Sequence, residues 1–252
     1  MMLKLTKKCS MGCKHCMNDA KPVEQHMSWE TLKKSVRFLD KYTGPFCLIS
    51  GGEPTEHPEF PKMFEYILDK LGDRLITLTT NGIWLQDKED YIDYLFYHHK
   101  LLEIQVSSVP GLYPQLVDET MPLFQKKWKK RVLLCKEIPR MYPQGRAVTN
   151  NLPPGPIKGC KCFNIRAIAR QEPDWGLAEM IGLMASKALT CTPHISFDGS
   201  IRVGESDLCP VCSHIDKTES EIVEDIRKFD CHNCAFINKN VLSEEARAII
   251  GE

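Results

Sequence analysis

The sequence predicts an α/β protein: parallel strands in a barrel-like or open sheet, followed by a small hairpin-and-helix unit. Two observations carry this. From Met1 to about Gly145, short apolar runs alternate with amphipathic segments across short connections, which is the pattern of strand–helix–strand units around a parallel sheet. Beyond them, residues Val148–Ile157 are rich in Asn and Pro (Asn150, Asn151, Pro153, Pro154, Pro156), a composition that marks a linker. A chain of 252 residues holds one large domain, or one barrel and a small appendage.

Strands are expected at Met2–Leu5, Phe46–Ser50, Leu75–Thr80, Leu101–Ser107 and Val132–Ile138. Helices are expected at Trp29–Tyr42, Pro61–Leu71, Lys88–His99 and Val117–Lys130. Ser28 suits an N-cap for the first helix, and Gly72 a stop for the second. After the linker come an amphipathic segment near Trp175–Lys187 and alternating residues from Ile195 to Val203, which read as a hairpin turned at Asp198-Gly199. Thr218-x-x-Glu221 is a capping box that opens a helix to about Phe229, and a last helix from Ser243 to Ile250 reads as a docking or capping element.

Composition narrows the partners. The 33 basic and 33 acidic residues cancel, so no global field draws nucleic acid or an anionic membrane. The compact basic run, Lys126, Lys127, Lys129, Lys130 and Arg131 around Trp128, falls at the end of an expected helix, where cations suit the carbonyl terminus. There is no apolar signal core and no uninterrupted apolar stretch of about 18 residues. The expectation is a soluble, cytoplasmic protein with no nucleic-acid or membrane partner. Twelve cysteines in a reducing compartment point to metal ligation more than to disulfides.

In parallel α/β folds, chemistry collects at the C-terminal ends of the strands. The first expected strand ends at Cys9-Ser-Met-Gly-Cys13-Lys-His-Cys16, the second at Ser50-Gly51-Gly52-Glu53-Pro54, and the third at Thr79-Thr80-Asn81-Gly82. The fourth ends at Ser107-Ser108, and the fifth leads into Pro143-Gln144-Gly145-Arg146-Ala147. Three thiols within eight residues are one ligand short of a closed iron–sulfur or zinc site. A vacant metal position is where an exogenous molecule can bind. A zinc knuckle completed by His15 or His26, or three unrelated reduced thiols, would account for the same residues.

Cys9-x3-Cys13-x2-Cys16 resembles the cluster loop of the radical S-adenosylmethionine (radical SAM) enzymes. The resemblance implies a partial (β/α)6 TIM-like barrel and a [4Fe–4S] cluster on Cys9, Cys13 and Cys16, with the fourth iron chelated by SAM. Gly51-Gly52-Glu53-Pro54 resembles the family's GGEP motif, which binds the SAM amino group. His15, Thr80, Asn81, Ser107 and Arg146 complete the implied cofactor-binding set. For Thr80-Asn81 an ordinary Asn-Gly turn remains the alternative, and for Arg146 a surface ion pair. Relatives often carry an acidic residue two positions after the Ser107 equivalent, where this chain has Val109.

In the tail, Cys209-x2-Cys212 with Cys231-x2-Cys234 fits a zinc ribbon. Cys191, the hairpin, Cys209, the helix and Cys231-x2-Cys234 resemble instead the auxiliary-cluster domain called SPASM, in its shortened twitch form. That resemblance implies a second [4Fe–4S] cluster on Cys191, Cys209, Cys231 and Cys234, with Cys212 as an alternate ligand, and a division into a core at 1–157 (extendable to about 190) and an auxiliary domain at 158–252. Cys47 and Cys135 are expected to be buried apolar fillers, Cys160 and Cys162 have no assignment, and His98, His99 and His194 are read as surface or packing residues. Taken together, the resemblance implies an oxidoreductase-type enzyme acting on a small metabolite or natural-product intermediate. It implies a reductant such as flavodoxin or ferredoxin. A maturase of ribosomal peptides and a non-enzymatic zinc or electron-transfer protein are the alternatives.

Overall fold

A computed structural model describes residues 1–107, 109, 112, 126–128, 131–135, 145–152, 165–186, 192–204, 206, 207 and 209–229. Eight strands join in one sheet: β1 (Met2–Lys4), β2 (Phe46–Ser50), β3 (Leu75–Thr80), β4 (Leu102–Ser107), β5 (Val132–Cys135), β6 (Pro193–Ile195), β7 (Ser200–Val203) and β8 (Val211–His214). Their spatial order is β5-β4-β3-β2-β1-β6-β7-β8. The six strands β1 to β6 are mutually parallel, and β7 and β8 are added antiparallel. This is the expected α/β class with an open parallel sheet, and the first five strands lie where the sequence placed them. Residues 136–138 of the expected fifth strand are outside the described residues.

Helices α1 (Trp29–Tyr42), α2 (Phe60–Leu71) and α3 (Glu89–His98) form the crossovers between successive parallel strands. The Ser28 side chain caps α1 by accepting from the Thr31 amide at 3.1 Å, as expected of a Ser preceding an apolar period. On α2, Phe60, Met63, Phe64, Ile67, Leu68 and Leu71 are all buried. The three- and four-residue spacing puts them on one stripe facing the sheet, each contributing about 1.5–3 kcal/mol of apolar burial. In β4, Leu102, Ile104 and Val106 are buried while Glu103, Gln105 and Ser107 are half-buried, so the two faces of the sheet carry different chemistry. The expected helix at Val117–Lys130 is described only over residues 126–128, which are helical.

Three elements depart from expectation. A helical turn, α4 (Arg146–Thr149), runs into the start of the Asn- and Pro-rich stretch. It is tied down from outside, because the Asn150 side chain donates to the Lys14 carbonyl at 2.9 Å. Helix α5 (Ile165–Gln171) precedes α6 (Leu177–Ser186), and strand β8 follows the hairpin. Alternation over four residues is too short a signal for β8, whose partner is supplied by β7. The hairpin itself turns at Asp198-Gly199 with Gly199 at φ +85°, and the Thr218–Glu221 capping box opens α7 (Glu219–Lys228). The hairpin strand β6 pairs in parallel with β1, Met2 opposite His194 and Leu3 opposite Ile195, so the tail continues the core sheet.

Candidate active site

The thiol loop leaves β1 along a short extension that is bonded on both sides. Cys9 N–H donates to Lys21 O at 2.9 Å and Lys7 N–H to Gln25 O at 2.9 Å. On the other side, Gly52 N–H donates to Thr6 O at 2.7 Å and Glu53 N–H to Lys8 O at 2.8 Å. The paired glycines make this approach possible. A Cβ on Gly51 would lie 2.6 Å from the Thr6 carbonyl oxygen, and one on Gly52 would lie 2.2 Å from that of Lys8. Any side chain there would push the two loops apart. Ser10 reinforces the contact, its amide and hydroxyl each donating to Glu56 at 2.9 Å.

A second clamp grips the other end of the loop. Gly145 has φ +55°, and a Cβ there would sit 2.4 Å from Cys16 O. The Arg146 amide donates to Cys16 O at 3.0 Å. The guanidinium donates to Cys13 O at 2.8 Å and Ala20 O at 2.6 Å, leaving Nη2 buried with no partner among the described residues. Asp19 lies 3.8 Å from Nη1, a loose ion pair. Arg146 is therefore first a brace for the carbonyls of the thiol loop, a role the sequence did not suggest.

Cys9 and Cys13 are buried and Cys16 is half-buried. Burial pushes the Cys9 thiol up to about 12, with the neighbouring Glu53, Glu56 and Cys13 adding to it. Burial also pushes Cys13 up to about 11, with Cys16 adding and Arg146 opposing. Such thiols stay protonated at neutral pH until a metal displaces the protons. Among the described residues no three His, Cys, Asp or Glu side chains converge tightly enough to hold one metal ion. The His26 ring lies between Thr6 Oγ1 and Glu24, both at 2.8 Å. His15 is half-buried, its pKa lowered mainly by burial, and bonds to the Leu112 backbone. The clamped loop carries its three thiols beside a buried guanidinium nitrogen with no partner among the described residues, which is compatible with a metal centre that takes an anionic ligand.

Glu53 is 2 % exposed. Its carboxylate accepts from Thr55 N–H at 3.2 Å, Thr55 Oγ1 at 2.7 Å, Thr80 Oγ1 at 2.7 Å and Asn81 N–H at 2.6 Å. Burial raises its pKa while these donors pull it back. Among the described residues no cation pairs with it. Thr80 and Asn81 are thus brought to Glu53, and the Asn81 side chain also forms the local turn by accepting from Ile83 N–H at 3.0 Å. Pro54 is buried at the start of a single 3-10 turn, Pro54–Glu56. Ser107 is half-buried at the end of β4, in register with Cys135. Cys135 is not the buried filler expected. It is half-buried and accepts from the Gln105 amide nitrogen at 2.8 Å. Cys47 is fully buried as expected.

The sequence reading missed a buried polar cluster beside the loop. Lys4, 1 % exposed, places Nζ 2.9 Å from Asp207 Oδ1 and 3.2 Å from Asn18 Oδ1. His194, read as a surface or packing residue, is wholly buried and donates Nδ1–H to the Gly204 carbonyl. Burial, with Lys4 adding, pushes it down to about 4. Asp207 is held below the usual carboxylate range by His194 and Lys4. An apolar alternation containing one Lys or one His gives no hint of such a group.

Of the tail cysteines, Cys209 and Cys212 are described, whereas Cys160, Cys162, Cys191, Cys231 and Cys234 lie outside the described residues, as does the expected helix at 243–250. Cys212 sits within β8, its thiol donating to Ile201 O at 3.2 Å, and burial pushes it up to about 12. Cys209 is half-buried, and a Cβ on Gly204 would lie 2.5 Å from its sulfur.

The fold and the rim define the class first: a parallel α/β protein whose glycine-, thiol- and carboxylate-bearing loops meet at the C-terminal ends of its strands. The family follows. A family model described as the Radical SAM superfamily matches residues 3–137, more than half of the chain, and the protein belongs to that superfamily. Its members are enzymes, and membership brings a [4Fe–4S] cluster and SAM. The 7-carboxy-7-deazaguanine synthase of Aquifex aeolicus is 25% identical over 146 residues, covering 56% of this chain and 63% of that protein. The Fe-coproporphyrin III synthase of Methanosarcina barkeri is 36% identical over 87 residues, covering 34% and 21% respectively. The chain thus spans less than two thirds of the length of these curated relatives. Among solved structures, BtrN in complex with AdoMet and 2-DOIA has a TM-score of 0.59 at 12% identity, covering 91% of this chain and 81% of that one, a likeness of fold. No helix among the described residues is long and apolar enough to cross a membrane.

Proposed function

We propose that this chain cleaves SAM reductively and abstracts a hydrogen atom from a small metabolite or natural-product intermediate. One observation carries it: a three-thiol loop braced at both ends by glycine-dependent backbone contacts, beside a buried carboxylate that has no cation partner among the described residues. When bound, the cluster and SAM supply the one-electron cleavage that yields methionine and a 5′-deoxyadenosyl radical.

The residues of the chain do the rest. Cys9, Cys13 and Cys16 hold the cluster. Gly51 and Gly52 bring the Glu53 loop against them, and buried Glu53 gives the SAM ammonium group a negative partner in a low-dielectric setting. Thr55, Thr80 and Asn81 fix that carboxylate, so no reorganisation is needed when the ligand arrives. The unpartnered Nη2 of Arg146 suits the SAM carboxylate, while its other nitrogens keep the loop in shape. His15 and Ser107 complete the set that faces the cofactor.

The small-molecule substrate is supported by the names of the curated relatives, synthases of a deazaguanine and of an iron porphyrin. For the tail we propose one auxiliary [4Fe–4S] cluster on Cys191, Cys209, Cys231 and Cys234, in a twitch-like domain at 158–252, with Cys212 as alternate. A cluster there would accept the electron lost by the substrate radical, so the substrate would be oxidised overall, while flavodoxin or ferredoxin would be the reductant that supplies the first cluster. Anaerobically reconstituted protein with dithionite is expected to convert SAM to 5′-deoxyadenosine, and Cys13→Ala to abolish it. Turnover persisting in Cys13→Ala rejects the assignment. About eight irons per chain are expected from two four-iron clusters, and about four irons with one zinc would reject the auxiliary cluster.

A further inference from the structure

Residues on either side of the two thiol-bearing loops meet directly. Ser206 Oγ donates to the Met17 carbonyl at 3.2 Å, and the Asp207 amide donates to Asn18 Oδ1 at 3.0 Å. Met17 and Asn18 directly follow Cys16, and Asp207 stands two residues before Cys209, whose own amide donates to Ser206 O at 3.0 Å. Lys4 of β1 sits underneath, donating to Asn18 and to Asp207 at once, and Ser196 Oγ donates to Asp207 Oδ1 at 3.1 Å. A buried ion pair adds little net stability over an apolar pair of similar volume. Stability alone therefore gives no reason for Lys4 and Asp207. An ammonium group with several donors, however, can join a side chain of the thiol loop to one of the tail, and an apolar pair cannot.

We propose that the Ser206–Asp207 turn, seated on Lys4, is a positioning clasp that holds the trailing end of the Cys9–Cys16 loop and registers it against the Cys209 turn. The clasp rests on the radical SAM reading for its consequence in turnover but not for its geometry. It makes the tail a mechanical part of the first site: the loop that receives the cluster is shaped partly by residues far along the chain, through β6 lying beside β1.

Hydrogen–deuterium exchange on the metal-free full chain tests the geometry. Asn18→Ala and the double variant Lys4→Met/Asp207→Leu are each expected to speed exchange over residues 13–20 at least tenfold, with α2 and β3 unchanged. The double variant keeps an apolar pair in place of the ionic one, so its urea midpoint is expected to stay near that of the unaltered chain. If that variant protects residues 13–20 as well as the unaltered chain does, Lys4 and Asp207 merely compensate each other's charge and the clasp is overturned. Unchanged exchange in Asn18→Ala overturns it too. Should Asn18→Ala fail to fold, Ser206→Ala gives the same decision with a threefold expected change. After reconstitution, the double variant is expected to bind as much iron as the unaltered chain and to cleave SAM at least tenfold more slowly; equal cleavage overturns the positioning role. If the unaltered chain cleaves no SAM, the enzyme reading falls by itself, because exchange in the metal-free chain still decides the clasp.

Discussion

At the amino end, the loop from Cys9 to Cys16 is held between two clamps built largely on main-chain carbonyls, those of Thr6 and Lys8 on one side and of Cys13, Cys16 and Ala20 on the other. At the carboxyl end, Cys212 is woven into β8 and Cys209 sits on a turn secured chiefly by side chains, with Arg202 reaching its carbonyl at 2.5 Å. The difference teaches where each loop is vulnerable. Carbonyl-to-backbone packing at 2–3 Å leaves no room for a Cβ, so the first loop depends on glycines. A side-chain brace can lengthen, rotate or be replaced, so the second depends on particular polar groups.

The largest effect expected from this contrast is at Gly52. Gly52→Ala forces a Cβ into the Lys8 carbonyl, and we expect at least a hundredfold loss of SAM cleavage together with reduced iron binding. Iron assay and 5′-deoxyadenosine formation check it. Near-normal activity would show that the first clamp yields as readily as the second.

Arg146 comes next. Arg146→Ala removes two charge-assisted bonds to loop carbonyls, worth about 1.5–3 kcal/mol each. We expect protease sensitivity between Cys13 and Ala20 and a loss of turnover of ten- to a hundredfold. Arg146→Lys, which keeps the charge but not the fork, should restore less than half. Full recovery with Lys would mean that charge alone holds the loop.

The polar cluster joining the regions predicts a pH effect. His194 is depressed to about 4, so between about pH 6.5 and 4 the unfolded chain binds a proton that the folded chain does not. Folded-state stability therefore falls as pH drops through that window, by about 3 kcal/mol. Urea unfolding at pH 7 and at pH 4.5 measures it, and His194→Gln should flatten the dependence. A loss as steep in that variant would place the titration elsewhere. The smallest effect is expected at the start of α7: Thr218→Ala breaks the capping box and should cost about 1 kcal/mol without altering iron content.

Much of the fold was legible. The alternation of apolar stripes set β1 to β4 and α1 to α3 almost to the residue, because each element buries one face and its period is written locally. The thiol spacing, the Gly-Gly-Glu-Pro stretch and the Asn-Gly turn were equally visible as chemistry-bearing strand ends. The braces were not. Arg146 looked like a ligand residue or a surface charge, yet it holds the carbonyls of Cys13 and Ala20. Gly51 and Gly52 were read as part of a motif that binds the SAM amino group, yet their first use is to let two loops of the chain touch.

The sequence by itself therefore determined the class of sheet, the rim and the residue types gathered there, since local periodicity and strand polarity dictate which ends of the strands carry loops. Only the tertiary structure decided that the sixth parallel strand lies beside β1 and not beyond β5, and that Lys4, Asn18, His194 and Asp207 share one buried site. Lys4 and Asp207 are 203 positions apart and Asn18 and Asp207 are 189 apart. No local pattern encodes them, because the partners acquire their meaning only once the sheet has brought them within hydrogen-bond reach.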